Sequence, residues 1–301
     1  MSYDLAVVAD LCIDVLLTGK VKPIYGQVEQ FVDDYQIELG GSATIFSSQF
    51  TKLGGKCAFL GAIGNDGFGE LLLSRIREIG IDDRFLHYSN EKTALGLGLG
   101  YGNDRAMLTY LGTLNDIKPQ LIETSGVLDA ASHIHINSYF LLENLQAYWS
   151  EKAPLLKKRG KTLSLDTNWA PLDDWQKVHE LLPFIDVFIP NEEEAKLISA
   201  QANLADAGMW LSEQCPLVVI KRGEKGASLF QKGTRTDFEI PSLLTDQLKI
   251  KDTTGAGDNF CAGFIFNWLK GKPLEDCVTL GMQCGTSSLK EIGGINGQFV
   301  P

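Results

Sequence analysis

The stretch "DTTGAGDNFCAGFIFNWLK" (252–270) sets two carboxylates, Asp252 and Asp258, around Gly255-Ala256-Gly257 and then turns apolar. Residue types of this kind suit two tasks at once: an unobstructed backbone can bind an anion, and a carboxylate beside it can take a proton. Phe260, Phe264, Ile265, Trp268 and Leu269 recur at the spacing of one helix face. Gly271 and Pro273 end that helix. Asp258 therefore falls at or near a helix N-terminus, where free N–H groups point outward and favour an anion. Gly255 and Gly257 let the chain bend there with no side chain in the way. From these residues alone two readings stand open for Asp258: a helix cap, or a carboxylate set to work on a bound anion.

The elements that must position such a site alternate along the chain. Apolar runs at 4–10, 57–63, 132–136, 162–166, 186–190 and 216–221 read as buried strands. Helices fit at 42–55, 68–80, 143–159, 173–182, 191–199, 203–214, 258–270 and 274–290. This βα rhythm predicts an α/β fold: a doubly wound, mostly parallel sheet with helices on both faces. Ligands of such folds bind beyond the carboxyl ends of the strands, and "VAD", "LDTN", "IPNEEE" and "KRGEKG" all stand at strand ends. Two stretches break the rhythm, about 12–39 and 94–111. They read as a small added β-layer, either a lid over a ligand or a surface excursion, within a single domain over 1–301. The second is expected to be a hairpin turning at Gly102–Asp104, with Arg105 beginning the return strand. Its "GLGLGYG" is no dinucleotide fingerprint, since strand pattern lies on both sides.

Composition narrows the function. A net charge of −11 over 301 residues argues against a nucleic-acid surface. No apolar run approaches the roughly 20 residues of a membrane span. The opening "MSYDLAVVAD" lacks a basic region ahead of an apolar one, so no signal peptide is expected and the expected location is cytoplasmic. Cys12, Cys57, Cys215, Cys261, Cys277 and Cys284 form no CxxC pair and read as buried free thiols in a reducing compartment.

"DTTGAGDNFCAGF", taken with "GGSATIFSSQFTKLGGKCAFLGAIGNDGFGE" (40–70), resembles the two signatures of the ribokinase-like (PfkB) carbohydrate kinases. "NEEE" at 191–194, "KRGEKGA" at 221–227 and the early "VADLCIDVL" resemble other family segments in the same order. The resemblance implies transfer of the γ-phosphoryl group of ATP to a sugar hydroxyl. It makes Asp258 the general base and Gly255, Ala256 and Gly257 with it the anion hole. Asn191 and Glu194 resemble the pair that organises Mg²⁺ and phosphate through water; a first-turn acid is the other reading of Glu194. Lys221, Gly223 and Gly226 resemble the nucleotide turn, although the family often has threonine in place of Lys221, which could meet a phosphate or be solvated. Asp252 and Thr254 resemble part of a monovalent-cation (K⁺) loop. On the sugar side the resemblance points to Asp10, Asp14, Gly40, Gly41 and Asn168, with Asp166 beside it and Arg105 on the lid. His135, Ser138 and Tyr139 could line the pocket or, for His135, sit in the core. The implied partners are a small sugar and ATP, with a homodimer through paired lids.

The sequence departs from the family at two points. Ile45 stands where many members have a sugar-contacting asparagine. Ala170, preceded by Trp169, stands where many have arginine. A stacked Trp169 would suit an apolar sugar face or a nucleoside base. A nucleoside or vitamin-precursor kinase is therefore the second reading, and a non-catalytic sugar-binding regulator the third.

Overall fold

The computed structural model describes residues 3–101, 104–245 and 248–301, the side chains of Tyr101, Asp104, Arg105 and Leu243 excepted. The strands are β1 (Tyr3–Val8), β2 (Cys12–Thr18), β3 (Asp34–Gly40), β4 (Cys57–Leu60), β5 (Ala62–Gly64), β6 (His87–Ser89), β7 (Leu95–Tyr101), β8 (Asp104–Tyr110), β9 (Ala131–Ile136), β10 (Thr162–Leu165), β11 (Val187–Phe188), β12 (Val218–Lys221), β13 (Ala227–Gln231) and β14 (Thr234–Phe238). The helices are α1 (Ser42–Lys52), α2 (Gly67–Ile79), α3 (Pro119–Ser125), α4 (Gln146–Lys158), α5 (Glu192–Ser199), α6 (Leu204–Gln214), α7 (Ser242–Thr245), α8 (Ala256–Leu269) and α9 (Leu274–Ser288).

Eight strands form the main sheet in the order β14-β13-β12-β11-β10-β9-β1-β4. All neighbours pair in parallel except β12–β13 and β13–β14. Strand alternation sends apolar side chains to both faces. Ala6, Val8, Ile134 and Ile136 join one core with Trp149 and Leu156 of α4 and Leu211 of α6. Leu5, Val7, Val187 and Val219 join the other with Phe46 of α1 and Phe264 of α8. The doubly wound reading holds, with helices on both faces. The stretches that break the βα rhythm form a second sheet of four strands, β3-β2-β7-β8.

The central strand β9 carries two histidines on the α1/α8 side. His133 Nε2 and His135 Nδ1 both bond Ser164 Oγ, at 2.8 and 2.6 Å, and His133 Nδ1 bonds Thr162 Oγ1 at 2.8 Å. The His135 ring stacks on Phe46, with centroids 3.9 Å apart. Burial drives both imidazoles well below their ordinary pKa, His133 to about 3.

Two expectations are corrected, and one hairpin is added. The helix expected over 173–182 is instead two 3-10 turns, Trp175–Val178 and Leu182–Phe184. Pro183 withholds an N–H, and Asp173 takes the Trp175 indole N–H at 2.6 Å, pinning a turn there. The strand expected over 57–63 breaks at Gly61. Its first half pairs with β1, and its second pairs with β6 in a separate small sheet. The hairpin β13–β14 was absent from the sequence reading. Its turn residues Lys232 and Gly233 have φ of 51° and 73°, the left-handed pair that a two-residue hairpin demands.

Close packing fixes the start of α8. A Cβ on Gly263 would lie 2.7 Å from the Leu280 carbonyl oxygen, and one on Gly285 would lie 3.0 Å from that of Ala256. Side chains at either place would push α8 off α9 and displace the end that carries Asp258.

Candidate active site

The first turn of α8 is built as an open backbone end. Its N-cap is Gly255, at φ 70°, with no side-chain cap. A Cβ there would meet Ile45 Cγ2 at 2.9 Å and Gly294 Cα at 3.0 Å, so glycine is required both sterically and conformationally. Asp258 is the third helical residue and does not cap; the Ser42 hydroxyl stands near enough to favour its charged form. Burial, then the nearby Asp166 and Asp10 carboxylates, push the Asp258 pKa well up, against the pull of Lys221 and Ser42. Of the two sequence readings, the cap falls away.

A polar brace stands behind this turn. Asn259 Nδ2 donates to the carbonyls of Gly255 and Gly294, at 2.9 and 2.8 Å. Gln298 Nε2 donates to Asn259 Oδ1 and to the Ile45 carbonyl, and Ser48 Oγ donates to Gln298 Oε1 at 2.7 Å. Asp252 adds a second tie: it accepts from Thr254 N and Oγ1 and, with its other oxygen, from Gly293 N at 3.0 Å. Ile45 packs on Gly255 and Gly294 and so supports the turn. Sequence reasoning missed Asn259 and Gln298. The signal for Asn259 was a polar residue at a buried position of an apolar helix.

On the side of the small sheet, Asp10 is 2% exposed and caps α1 from a distance. Its oxygens accept from Ser42 N (3.0 Å), Ala43 N (2.9 Å) and Ser138 Oγ (2.6 Å). The cap position itself is Gly41, at φ 93°, where a Cβ would lie 2.1 Å from the Asp10 carbonyl oxygen. Asp10 is thus a helix-end residue, and Asp14 is the half-buried carboxylate on this side. Asp14 lies across two bare strands: a Cβ on Gly40 or Gly96 would meet its oxygens at 2.5 or 2.3 Å. Asn168, at φ 61°, donates to Ser42 Oγ at 2.6 Å and accepts from Ser138 N at 3.2 Å. Ser42, unmarked in the sequence, therefore stands between Asn168 and Asp258. His135 is a core residue, and the Tyr139 hydroxyl donates to the Lys177 carbonyl, away from this network. The side chain of Arg105 lies outside the described residues. Trp169 is 60% exposed, with its ring edge-on to Trp175.

On the opposite side, Asn191 and Glu194 form a capping box on α5. Asn191 Oδ1 accepts from Glu194 N at 2.9 Å, and Glu194 Oε2 accepts from Asn191 N at 2.8 Å. Burial raises the Glu194 pKa to about 7, against the attraction of Lys221. Lys221 is mostly buried and paired: Nζ donates to both Asp166 oxygens, at 3.0 and 2.9 Å. Burial pulls the ammonium down, and Asp166, with Cys261 and Glu194, more than offsets it. Gly223 and Gly226 turn the chain from β12 into β13 with φ of 57° and 85°. The space above Gly223 is open, whereas a Cβ on Gly226 would strike the Phe238 carbonyl oxygen at 2.0 Å.

The strand ends thus converge on one bare helix terminus with a raised carboxyl. The pfkB family carbohydrate kinase model matches residues 3–299. The chain belongs to the pfkB family of carbohydrate kinases. This kinase is a phosphotransferase with a hydroxyl acceptor. It is 34% identical to a cytidine kinase of Thermococcus kodakarensis over 149 residues, 48% of this chain and 52% of that protein. It is 26% identical to the adenosine kinase of Saccharomyces cerevisiae over 270 residues, 84% of this chain and 78% of the relative. An E. coli protein of the ribokinase II type, solved with ATP and Mg²⁺, superposes with a TM-score of 0.85 at 22% identity, covering 99% of this chain and 96% of that one. Among the described residues, no helix is long and apolar enough to cross a membrane.

Proposed function

We propose that this pfkB kinase transfers the γ-phosphoryl group of ATP to a hydroxyl of a small carbohydrate, with residues 1–301 acting as one unit. The observation that carries the proposal is the raised Asp258 carboxyl, beside Ser42, in the first turn of a helix opened by a bare Gly255. In the transfer the bond from the γ-phosphorus to the bridging oxygen breaks, and its electron pair leaves with ADP. A new bond joins phosphorus to the acceptor oxygen, whose proton passes to Asp258. A carboxylate whose pKa lies above its ordinary value is a stronger base, and such a base contributes about 10²–10⁴ in rate. The N–H groups of the Gly255–Asp258 turn face the charge that develops on the moving phosphoryl. Asn191, Lys221, Gly223 and Gly226 lie on the nucleotide side; Asp14, Gly40, Gly41, Asn168 and Arg105 lie on the acceptor side.

Mg²⁺ suits this donor set, because hard carboxylate oxygens of Glu194 and Asp166 crowd a single ammonium. Among the described residues no three His, Cys, Asp or Glu side chains form a direct metal cage, so Glu194 would act on the ion through water. When bound, the ion would offset the charge of the ATP phosphates. For K⁺, Asp252 and Thr254 are the residues that would hold it, beside the turn they already brace.

The exposed Trp169, next to Asn168, favours a second reading, a nucleoside as acceptor. ADP release from Mg-ATP across sugars, sugar acids and nucleosides, with Asp258→Asn as blank, separates the two. Turnover on nucleosides alone would select the second reading, and tight sugar binding without turnover would select a binding protein.

The small sheet supports a homodimer through a lid. Its face opposite Asp14 carries Val15, Leu17, Tyr35, Ile37, Leu97 and Leu108, with Tyr35 and Leu108 61% and 58% exposed. Leu108→Asp should yield monomers in sedimentation. Six free buried cysteines fit a reducing, cytoplasmic setting.

A further inference from the structure

Lys221 closes β12, yet its ammonium lies at the start of α8. A Cβ on Gly257 would be 3.2 Å from Nζ, so the charge rests over the bare second residue of the helix that carries Asp258. Asp166, at the end of β10, holds it there with both oxygens. Cys261, one turn further along α8, donates to Asp166 Oδ2 at 3.2 Å and fixes the carboxylate in turn. The Lys221 side chain is 14% exposed, so the cluster opens toward solvent on one side. An ammonium has three hydrogens. Asp166 takes two, and the Cys261 sulfur, at 3.6 Å from Nζ, is a weak partner for the third.

A buried ion pair is seldom a gain in stability over apolar packing, so stability gives little reason to place one here. Phosphoryl transfer gives a reason. Charge spreads over the equatorial oxygens of the moving group, and catalysis consists mostly of placing opposite charge around them. The geometry points to Lys221 as a catalytic residue that donates its third hydrogen to the transferring phosphoryl, with Asp166 as the positioning residue that holds it over Gly257. This inference rests on the kinase reading and adds a fixed cation on the flank of the anion hole.

The experiment uses the full chain, Mg-ATP and the best acceptor from the panel. Lys221→Met should lower kcat at least about a hundredfold, the scale for losing one such donor, with KM for ATP changed less than about threefold. In Lys221→Ala, added methylammonium should raise kcat at least about tenfold and leave the wild type unaffected, an effect that a purely structural lysine would not show. Asp166→Asn should lower kcat at least about tenfold, and should add little to Lys221→Met because the two act together. A kcat for Lys221→Met within about threefold of wild type, or a loss confined to KM for ATP, overturns the inference and returns Lys221 to nucleotide binding. Should the lysine variants fail to fold, Asp166→Asn decides, and a wild-type kcat there overturns it. Absence of ADP release by the wild type on every acceptor overturns the kinase reading together with this inference.

Discussion

Lowering the pH below neutral should cost this kinase stability through His133 and His135. Both are neutral in the fold because burial opposes their charge, and His133 titrates only near pH 3. In the unfolded chain each would titrate near its ordinary pKa of about 6.5. Below that value the unfolded state binds more protons, so stability rises with pH up to about 6.5 and is lost as pH falls toward 3. At about pH 5.5 an unfolded histidine is protonated roughly ten to one, which favours unfolding by RT ln 11, about 1.4 kcal/mol, or about 3 kcal/mol for the pair. That is a large share of the 5–15 kcal/mol typical of a folded domain. Carried to pH 3, where the folded imidazole is itself half protonated, His133 alone would reach about 4 kcal/mol. Glu194 and Asp258 have raised pKa values and act in the opposite sense, so the difference between proteins carries the test rather than the raw curve. Urea midpoints between about pH 8 and 5 would be compared for wild type, His133→Gln and His133→Gln/His135→Gln. The variants should start less stable, since they lose the bonds to Ser164, and should fall less steeply with acid. Parallel curves would refute the claim that these imidazoles are held neutral.

Asp258→Asn should bind ATP and acceptor as before and lose at least about a hundredfold in kcat; near-wild-type turnover would remove Asp258 as the base. Glu194→Gln should keep its capping bond to Asn191 and shift the Mg²⁺ titration to higher concentration; an unchanged titration would leave it a helix-end residue only. Gly41→Ala should lose at least about 1–2 kcal/mol from its left-handed φ alone, with more from the clash on Asp10, and a wild-type urea midpoint would contradict that geometry. Asn259→Leu takes the side-chain donor from the Gly294 carbonyl and the acceptor from Gln298 Nε2, while the backbone N–H still serves the Gly255 carbonyl; it should cost about 1–3 kcal/mol together with turnover, read by thermal melting and ADP release.

Much of the fold is legible because burial on both faces of a parallel sheet leaves short apolar runs. β1, β9, β10 and β12 are therefore plain in the sequence, and the glycine-flanked Asp258 marks the reactive end. The failures have physical causes. A short 3-10 turn such as Trp175–Val178 shows the same apolar spacing as a helix, and only Pro183 speaks against it. The pairing of Lys221 was unreadable because its partner Asp166 is 55 residues away, and no local pattern announces a pairing across strands. Ser42 and Gln298 act through bonds to distant segments, which is likewise a property of the folded chain. Asp10 shows the converse: an acid at a strand end reads as a ligand contact, and only the folded chain shows that the helix beginning at Ser42 also draws on it.

The bond from Ser48 to Gln298 spans 250 positions of sequence. Phe299 adds two more bonds over the same span, donating its N–H to Gln49 Oε1 and accepting from Gln49 Nε2 at its carbonyl. Met282, Cys284 and Ile295 belong to the core under α1 and α8, so that core and the brace of the Gly255 turn close together. A growing chain can complete this face of the sheet only after residue 299 has been made, and the reactive end is completed with it.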